Sequence, residues 1–385
     1  MTFSAFIHVQ HLLGTGHLMR AAAIGRALAR RGVAVTLATG NTPPPLADLD
    51  GLDVVTLPPV RARDARFKSF VTPEGTEIDA TWKAHRRDAT LAAFAARDVD
   101  LLLTETWPFG RRPFAFEMEP LVAAARARVR RPLIASSVRD ILVRKQELWK
   151  EEEMAARAEA AFDRVLVHSD PAFIRLADSF PFTDRIADRL RYTGFVETGG
   201  ARPPAPAGDG EDEVVVSCGG GAVGAHLLEA VFDARALSRR AGDCRWRLLA
   251  GHDIDAETFA RLQARAGEGL IAERARPDFP ALLARARLSV SQAGYNTVLD
   301  VLRAGVPAVF VPFAQIKETE QQQRAEALAR HGRAVVTAEA TLTPEALAAS
   351  VDDALALPRR HVSVEVGGAD RAADILLADL EARAR

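Results

Sequence analysis

The sequence contains very little cysteine. Cys218 and Cys244 are the two among 385 residues, which is too few for a disulfide framework or for a zinc site built from cysteines. Charge of one sign is not in excess either, because 50 Lys and Arg stand against 51 Asp and Glu. A chain without surplus positive charge has no general attraction to nucleic acid, so we expect no nucleic-acid partner.

Long hydrophobic runs are also missing. No stretch approaches the roughly 20 apolar residues that cross a bilayer, and the first residues lack the basic and apolar segments of a secretory signal. Neither a G-x-x-x-x-G-K-[ST] phosphate loop nor an H-E-x-x-H zinc helix occurs. We therefore predict a cytoplasmic protein with no cofactor, no metal and no transmembrane segment, which leaves room for peripheral contact with a membrane.

Short apolar runs alternate with helical patterns in the first half of the chain. Continuous runs such as DLLLTE (100–105) and RVLVHS (164–169) suit parallel strands that are buried on both faces. Strands are predicted at 6–10, 33–38, 53–57, 101–105, 132–136 and 164–168, and helices at 18–31, 81–96, 119–130 and 148–162. This alternation predicts a doubly wound α/β domain.

A second α/β pattern follows a segment rich in proline, glycine and acidic residues, 197–212. Strands are predicted at 214–217, 247–250, 288–291, 308–311 and 334–337, and helices at 225–241, 280–286, 297–304, 319–330 and 369–384. We predict two tandem Rossmann-like domains, 1–196 and 213–365, joined by a 197–212 linker and followed by a 366–385 helix. A cleft is expected between the carboxyl ends of their strands.

The first candidate site is the turn GTGH, formed by Gly14, Thr15, Gly16 and His17. It follows a strand and begins a helix, where the exposed N–H groups and the positive end of the helix dipole favour a neutral imidazole. A neutral imidazole can accept a proton near pH 7. His17 lies outside the apolar stripe of its helix, although a histidine that only packs remains an alternative.

The second glycine turn, SCGGGAVGAH (217–226), follows the first strand of the second domain. Gly219, Gly221 and Gly224 satisfy the G-x-G-x-x-G spacing, but Asp253 lies well beyond the usual ~20 residues to a ribose-binding acid. A strand, a glycine turn and a helix amino terminus in this order suit a phosphate group. A tight turn without a ligand is the alternative.

Further polar residues begin helices in the segment 287–332. Thr297 and Asp300 are three residues apart and share a helix face. Asp300 either complements the helix dipole or accepts hydrogen bonds from the paired hydroxyls of a ribose. Glu320 and Gln321 begin another helix at the same end of the predicted sheet. Several polar groups therefore converge on one edge.

These same segments resemble a known family. SQAGYNTVLDVLRAGVPAVFVPF (291–313) with EQQQRAEAL (320–328) resembles the nucleotide-sugar-binding half of GT-B glycosyltransferases. The similarity is to the group of peptidoglycan-precursor N-acetylglucosaminyltransferases and to the glycosyltransferase family 28 C-terminal domain. GTGHLMR (14–20) is similar to the G-x-G-H-x-x-R turn of that group, which a nucleotide-sugar hydrolase shares.

The resemblance implies a metal-independent hexosyltransferase that moves a sugar from a nucleotide-diphosphate donor, with uridine favoured, to an unknown acceptor. It implies that His17 is the general base and that 1–196 binds the acceptor. The implied donor-binding residues are Gly219, Gly220, Gly221, Arg276, Ser291, Gly294, Asn296, Thr297, Asp300, Glu320 and Gln321. The acceptor-binding residues are predicted to be Gly14, Thr15, Gly16, Glu105 and Arg139, the last two because they lie just beyond the carboxyl ends of strands.

Two other functions share these features. A nucleotide-sugar hydrolase would use the same fold with water in place of the acceptor, and a non-catalytic binding protein would hold the nucleotide sugar without turnover. An Asp-x-Asp sequence, Asp253 and Asp255, holds a metal in a different transferase fold, but it follows a strand here as an ordinary loop. An oxidoreductase is disfavoured because position 19, where the first turn would need its third glycine, is Met.

Overall fold

Two compact units make up the chain, residues 1–200 with 365–385 and residues 201–364. The computed structural model describes residues 2–12, 15–44, 47–63, 69–198, 203–218, 224–252, 254–313, 319–357 and 364–385. The predicted site residues Gly14, Gly219, Gly220 and Gly221, and Asp253 of the Asp-x-Asp sequence, lie outside these ranges.

The first unit is built on a parallel sheet of seven strands in the order β3-β2-β1-β6-β7-β8-β9. The strands are β1 Ser4–Val9, β2 Ala34–Thr39, β3 Asp53–Thr56, β6 Leu101–Glu105, β7 Leu133–Arg139, β8 Arg164–His168 and β9 Leu190–Tyr192. A separate antiparallel pair is formed by β4 Arg61–Ala62 and β5 Phe70–Val71. Central strands are buried on both faces, as their continuous apolar runs predict.

Helices cover both faces of this sheet. They are α1 Gly16–Arg30, α2 Ala80–Ala95, α3 Ala115–Ala127, α4 Leu148–Ala161 and α11 Gly368–Ala384. The Asp79 carboxylate caps α2 by accepting the Trp82 backbone N–H at 2.7 Å. The carboxy-terminal helix α11 packs against α1 in one hydrophobic cluster, and Arg31, which directly follows α1, bonds Asp370 and Asp374 of α11. The last helix of the chain therefore completes the first unit.

The second unit has six parallel strands in the order β12-β11-β10-β13-β14-β15. The strands are β10 Val214–Ser217, β11 Trp246–Ala250, β12 Leu270–Arg274, β13 Leu288–Ser291, β14 Ala308–Phe310 and β15 Ala334–Val336. The helices are α5 Ala225–Leu237, α6 Ala256–Arg265, α7 Phe279–Arg285, α8 Tyr295–Ala304, α9 Glu320–Arg330 and α10 Pro344–Ala354. The predicted doubly wound α/β fold is therefore confirmed, with β12, α6 and α10 as additions.

Both sheets reverse their strand order once, between β1 and β6 in the first unit and between β10 and β13 in the second. In open α/β sheets, ligands bind outside the carboxyl ends of the strands at such a reversal. His17 follows β1 and Glu105 ends β6, so both lie at the first reversal. Ser291 ends β13 and lies at the second. The topology therefore brings predicted site residues together within each unit.

Candidate functional site

The centre of the first-unit site is a contact between His17 and Glu105. The imidazole Nδ1 lies 2.9 Å from Glu105 Oε1. Arg20, one turn further along α1, donates to the same carboxylate oxygen. Thr106 Oγ1 lies 3.1 Å from His17 Nδ1 and 3.3 Å from Glu105 Oε1. Three side chains thus converge on one oxygen of a buried carboxylate.

Glu105 is ionised in this setting. Its side chain is 1% exposed, and burial by itself raises the pKa of a carboxyl. The Arg20 guanidinium and the hydrogen bond from His17 outweigh burial and hold the pKa of Glu105 well below its usual range. An ionised carboxylate only accepts hydrogen bonds, so His17 must carry its proton on Nδ1.

The second imidazole nitrogen, Nε2, is therefore the one that can accept a proton. Burial, together with the charges of Arg111 and Arg20, lowers the pKa of His17 to about 3, against the opposing effect of Glu105. The ring is neutral at pH 7 as a result. Because its side chain is 22% exposed, the ring is not sealed inside the core. His17 thus has the protonation state and tautomer of a general base.

Arg111 adds positive charge beside this centre. Its Nε donates to the Gln10 carbonyl at 2.7 Å. Burial lowers the pKa of Arg111 to about 10, with a further lowering by Arg20 and an opposing effect of Glu105. The guanidinium remains charged at pH 7 and helps to keep His17 neutral.

The other predicted acceptor-side residues have different surroundings. Glu105 is bonded to protein groups and nearly inaccessible, so its position suits orientation of His17 better than direct contact with an acceptor. Arg139 ends β7 next to His168 of β8 and is partly exposed. Thr15 and Gly16 are exposed at the start of α1.

Sequence reasoning missed Arg20 and Thr106. Arginine is mostly exposed in proteins, yet Arg20 is 3% exposed because it pairs with Glu105. Its spacing of three residues from His17 was the available signal, because residues three apart share a helix face. Thr106 gave no signal; its φ of 68° brings the hydroxyl to the imidazole.

In the second unit, the predicted donor residues gather around the start of α8. Ser291 is fully buried, and its Oγ has no hydrogen-bond partner among the residues with described positions. Gly294 precedes the first helical residue, Tyr295, and Asn296 and Thr297 occupy the first turn. A helix amino terminus beside a buried, unpartnered hydroxyl has the polar groups that an anion needs.

Asp300 lies further along α8 than the sequence indicated. The helix begins at Tyr295 rather than at Thr297, so Asp300 is in the second turn and is 7% exposed. Dipole complementation acts within the first turn and does not account for its place. Of the two interpretations, the one in which Asp300 accepts hydrogen bonds is favoured.

Helix α9 begins with the other two predicted donor residues. Glu320 is buried, and its Oε2 lies 3.8 Å from Arg324 Nη2. Arg324 also donates to the Ala293 carbonyl at 2.9 Å, which links α9 to the turn before α8. Gln321 accepts the Phe313 backbone N–H at 3.1 Å. Glu320 and Gln321 therefore lie at the same sheet edge as Ser291.

The Arg276 side chain is already engaged within the second unit. It donates to both oxygens of Asp278, at 2.9 and 2.6 Å, and to Asp209 at 2.6 Å. Its guanidinium is therefore bound to carboxylates of the same unit.

The Asp-x-Asp sequence has a structural role at its second position. Asp255 caps α6 by accepting the Thr258 backbone N–H at 2.8 Å. Over the described ranges, no three His, Cys, Asp or Glu side chains group in a way that could hold a metal ion.

Comparison with known families identifies the second unit. Residues 215–365 match the model of the glycosyltransferase family 28 C-terminal domain. The chain is a glycosyltransferase of the GT-B fold. The family resemblance predicted from the turns around His17 and Ser291 is confirmed.

Curated relatives agree with this assignment. A UDP-N-acetylglucosamine--N-acetylmuramyl-(pentapeptide) pyrophosphoryl-undecaprenol N-acetylglucosamine transferase of Methylobacterium nodulans is 27% identical over 361 residues, 90% of this chain and 87% of that protein. A transferase of the same name from Synechococcus is 35% identical over 134 residues, 35% of each chain.

Solved structures confirm the fold. The crystal structure of Acinetobacter baumannii MurG matches with a TM-score of 0.61 and 17% identity, over 98% of this chain and 99% of that one. The calicheamicin glycosyltransferase CalG4 matches with a TM-score of 0.61 and 18% identity, over 99% and 95%. Within the part of this glycosyltransferase that the structure describes, no helix has the length and apolar character to cross a membrane.

Proposed function

We propose that this glycosyltransferase moves a sugar from a uridine-diphosphate donor to an acceptor hydroxyl, without a metal, and that His17 is the general base. The contact between His17 Nδ1 and the ionised Glu105 carries the proposal. It leaves Nε2 as the proton acceptor on a neutral, partly exposed ring. The uridine base is inferred from the names of the curated relatives.

The proposed reaction forms one bond and breaks another at the anomeric carbon of the donor. The acceptor oxygen bonds that carbon while the bond to the diphosphate breaks, and the acceptor proton passes to His17 Nε2. Glu105 offsets the positive charge that develops on the imidazole. A correctly placed general base contributes roughly 10²- to 10⁴-fold to the rate.

The second unit is proposed to bind the donor. The amino terminus of α8 and the Ser291 hydroxyl would face the diphosphate, where negative charge accumulates as the leaving group departs. Asp300 would accept the ribose hydroxyls, and Glu320 and Gln321 would bind hydroxyls of the sugar. Glycine turn residues 219–221 are assigned to the diphosphate from the family resemblance.

The first unit is proposed to bind the acceptor. Thr15 and Gly16 are exposed at the start of α1, next to His17. Arg139 ends the strand beside β6 and offers a positive charge on the same sheet edge. Gly14 is assigned to this group from the family resemblance alone.

The decisive experiment combines ligand binding with product analysis. A panel of nucleotide sugars is screened by thermal shift, because a ligand that binds the folded state raises its stability. The donor found is then incubated with and without candidate acceptors. Sugar transfer supports the proposal, free sugar with water alone supports a hydrolase, and stabilisation without any product supports a binding protein.

The role of His17 is tested separately. His17→Ala should lose roughly 10²- to 10⁴-fold in kcat, while the thermal shift by donor stays unchanged because the donor residues lie in the other unit. His85→Ala is the matched control, since His85 is exposed on α2 of the same unit. Full turnover in His17→Ala would disprove the base assignment.

A further inference from the structure

The Glu105 carboxylate, which contacts His17 through Oε1, makes a further hydrogen bond through its other oxygen, Oε2. Ser137 lies opposite Glu105 in the β6–β7 ladder, and its Oγ is 2.5 Å from Glu105 Oε2. The same Oγ is 2.8 Å from His168 Nε2 at the end of β8. His168 Nδ1 is in turn 2.8 Å from Thr193 Oγ1. A line of polar side chains thus runs from Thr193 to Glu105.

These groups are sealed from solvent. Ser137 is 1% exposed, His168 is fully buried and Thr193 is 3% exposed. Buried polar groups must find their hydrogen-bond partners within the protein, since water cannot replace them. An imidazole buried here without hydrogen-bond partners would lower the stability of the fold, because its polar nitrogens would lose their contacts with water.

The hydrogen atoms in the line can be assigned. Ser137 has a single hydroxyl hydrogen, which must lie between Oγ and the ionised carboxylate at 2.5 Å. Ser137 therefore accepts from His168, so the His168 proton is on Nε2. Burial lowers the pKa of His168 to about 3, with a further lowering by Arg20, so Nδ1 carries no proton. The single Thr193 hydroxyl hydrogen is shared between Nδ1 and the Gly194 carbonyl, each 2.8 Å from Oγ1.

We propose that Ser137 and His168 are positioning residues for the catalytic base: His168 donates to Ser137, and Ser137 donates to the rear oxygen of Glu105 and fixes that carboxylate against His17. This inference rests on the proposed function, because it presupposes that His17 is the base. No proton moves along the line during the reaction. Donors in series strengthen one another, so His168 acts on Glu105 through Ser137.

Two consequences separate this role from simple packing. Without the Ser137 hydrogen bond, Glu105 is held through Oε1 alone, so the orientation of the His17 ring is fixed less precisely. The negative charge of Glu105 also has one hydrogen-bond donor fewer, so it stabilises a protonated His17 more strongly. The pKa of His17 then rises, and the acid limb of the pH profile moves to higher pH.

Ser137→Ala tests the proposal in the full chain with the donor identified by thermal shift. We expect kcat to fall about 10-fold, the lower end of the roughly 10- to 100-fold effect that supporting partners of metal-binding histidines have. The KM for the donor should not change, and the acid limb of kcat should move to higher pH. Ser179→Ala is the control, because Ser179 is equally buried in the same unit but bonds backbone groups.

Variants of His168 keep the test decisive if Ser137→Ala folds poorly. His168→Gln retains an N–H donor toward Ser137 and should keep kcat close to that of the unaltered chain. His168→Leu removes the donor and should reproduce the kinetic changes expected for Ser137→Ala. Equal kcat values and pH profiles in these two variants would overturn the role of His168.

A double-mutant cycle shows whether Ser137 acts through Glu105. In a Glu105→Gln background, Ser137→Ala should lower kcat by less than twofold, because the interaction it supports is gone. A loss of the same size in both backgrounds, or an unchanged pH profile, would overturn the inference. Failure of the proposed function is recognised independently, by full turnover in His17→Ala.

Discussion

Glu105→Gln is the substitution that tests most directly what the buried carboxylate contributes to catalysis in this enzyme. The amide has nearly the shape of the carboxylate but carries no charge. At an effective dielectric constant of ~20, a unit charge 2.9 Å from the imidazole is worth about 6 kcal/mol before solvation is counted. Loss of that interaction destabilises the imidazolium that forms when His17, the proposed base, takes the acceptor proton. We expect kcat to fall by roughly 10³- to 10⁴-fold, as when the carboxylate of a histidine–aspartate pair becomes an amide.

The same substitution should also lower stability. Arg20 is 4% exposed at its side chain and would keep its charge without the carboxylate. Removal of one partner of a buried ion pair costs about 3 to 5 kcal/mol. Urea unfolding at pH 7.5 measures this loss in the free energy of unfolding, and single-turnover assays on the folded fraction measure kcat.

The double variant Glu105→Gln with Arg20→Met distinguishes the two effects. It removes the Arg20 charge that the single variant leaves without its carboxylate, so most of the stability should return while kcat stays low. A kcat restored together with stability would mean that the single variant was merely misfolded. A kcat near that of the unaltered enzyme in Glu105→Gln itself would refute the reasoning altogether.

Other perturbations follow from the same structure. His17 and His168 have a pKa of about 3 in the folded protein and of ~6.5 in the unfolded chain, so below pH 6.5 the unfolded state binds more protons than the folded state. For each histidine, the free energy of unfolding should therefore be about 2 kcal/mol lower at pH 5 than at pH 7. Urea unfolding at pH 7 and 5 checks this, and His168→Gln should remove about half of the difference; equal stabilities would contradict it. Asp300→Asn should weaken donor binding roughly tenfold, the effect of a hydrogen bond to a charged group, measured as Kd by calorimetry; an unchanged Kd excludes the ribose contact. Asp255→Ala should lower the free energy of unfolding by about 1 kcal/mol, because the helix cap is lost, and should leave kcat unchanged. If the kcat of the unaltered enzyme depended on added metal and the variant lost that dependence, the result would argue for a metal site.

The strands that frame each site could be predicted from sequence because their apolar runs are continuous. Leu101–Glu105 and Val214–Ser217 form strands at the predicted residues. The strand β12 is not predicted because Leu270 is its one buried residue and the other four are half-buried, which is the pattern of an edge strand. An edge strand lacks the two-sided burial that makes an apolar run visible.

The partners of Glu105 could not be predicted in the same way. An arginine on a helix, such as Arg20, is normally predicted to be exposed to solvent. Arg20 is buried because it pairs with a carboxylate 85 residues away in the sequence. Ser137 and His168 lie near the ends of predicted strands, but strand order is not encoded in the local pattern. Once β6, β7 and β8 are adjacent, the contacts follow. The local sequence therefore predicts His17 as the candidate base, whereas the order of the strands in the sheet brings the partners of Glu105 together.

Thr106 combines a strained backbone conformation with a contact to the proposed base. Its φ of 68° is in the left-handed region, which costs a β-branched residue roughly 1 to 2 kcal/mol. That conformation places Oγ1 at 3.1 Å from His17 Nδ1. Glycine at this position would relieve the strain, while its greater freedom in the unfolded chain costs about 0.5 to 1 kcal/mol.

Thr106→Gly should therefore have an unfolding free energy within about 1 kcal/mol of the unaltered enzyme, although it loses a side chain from the site. Its kcat should fall several-fold, because the hydroxyl no longer contacts His17 and Glu105. Thr106→Ser keeps the hydroxyl without the β-branch, so its kcat should remain close to the original. Urea unfolding and steady-state kinetics on both variants check this. A large loss of stability in Thr106→Gly would show that the position is not strained, and equal loss of kcat in both variants would show that the hydroxyl is not what matters.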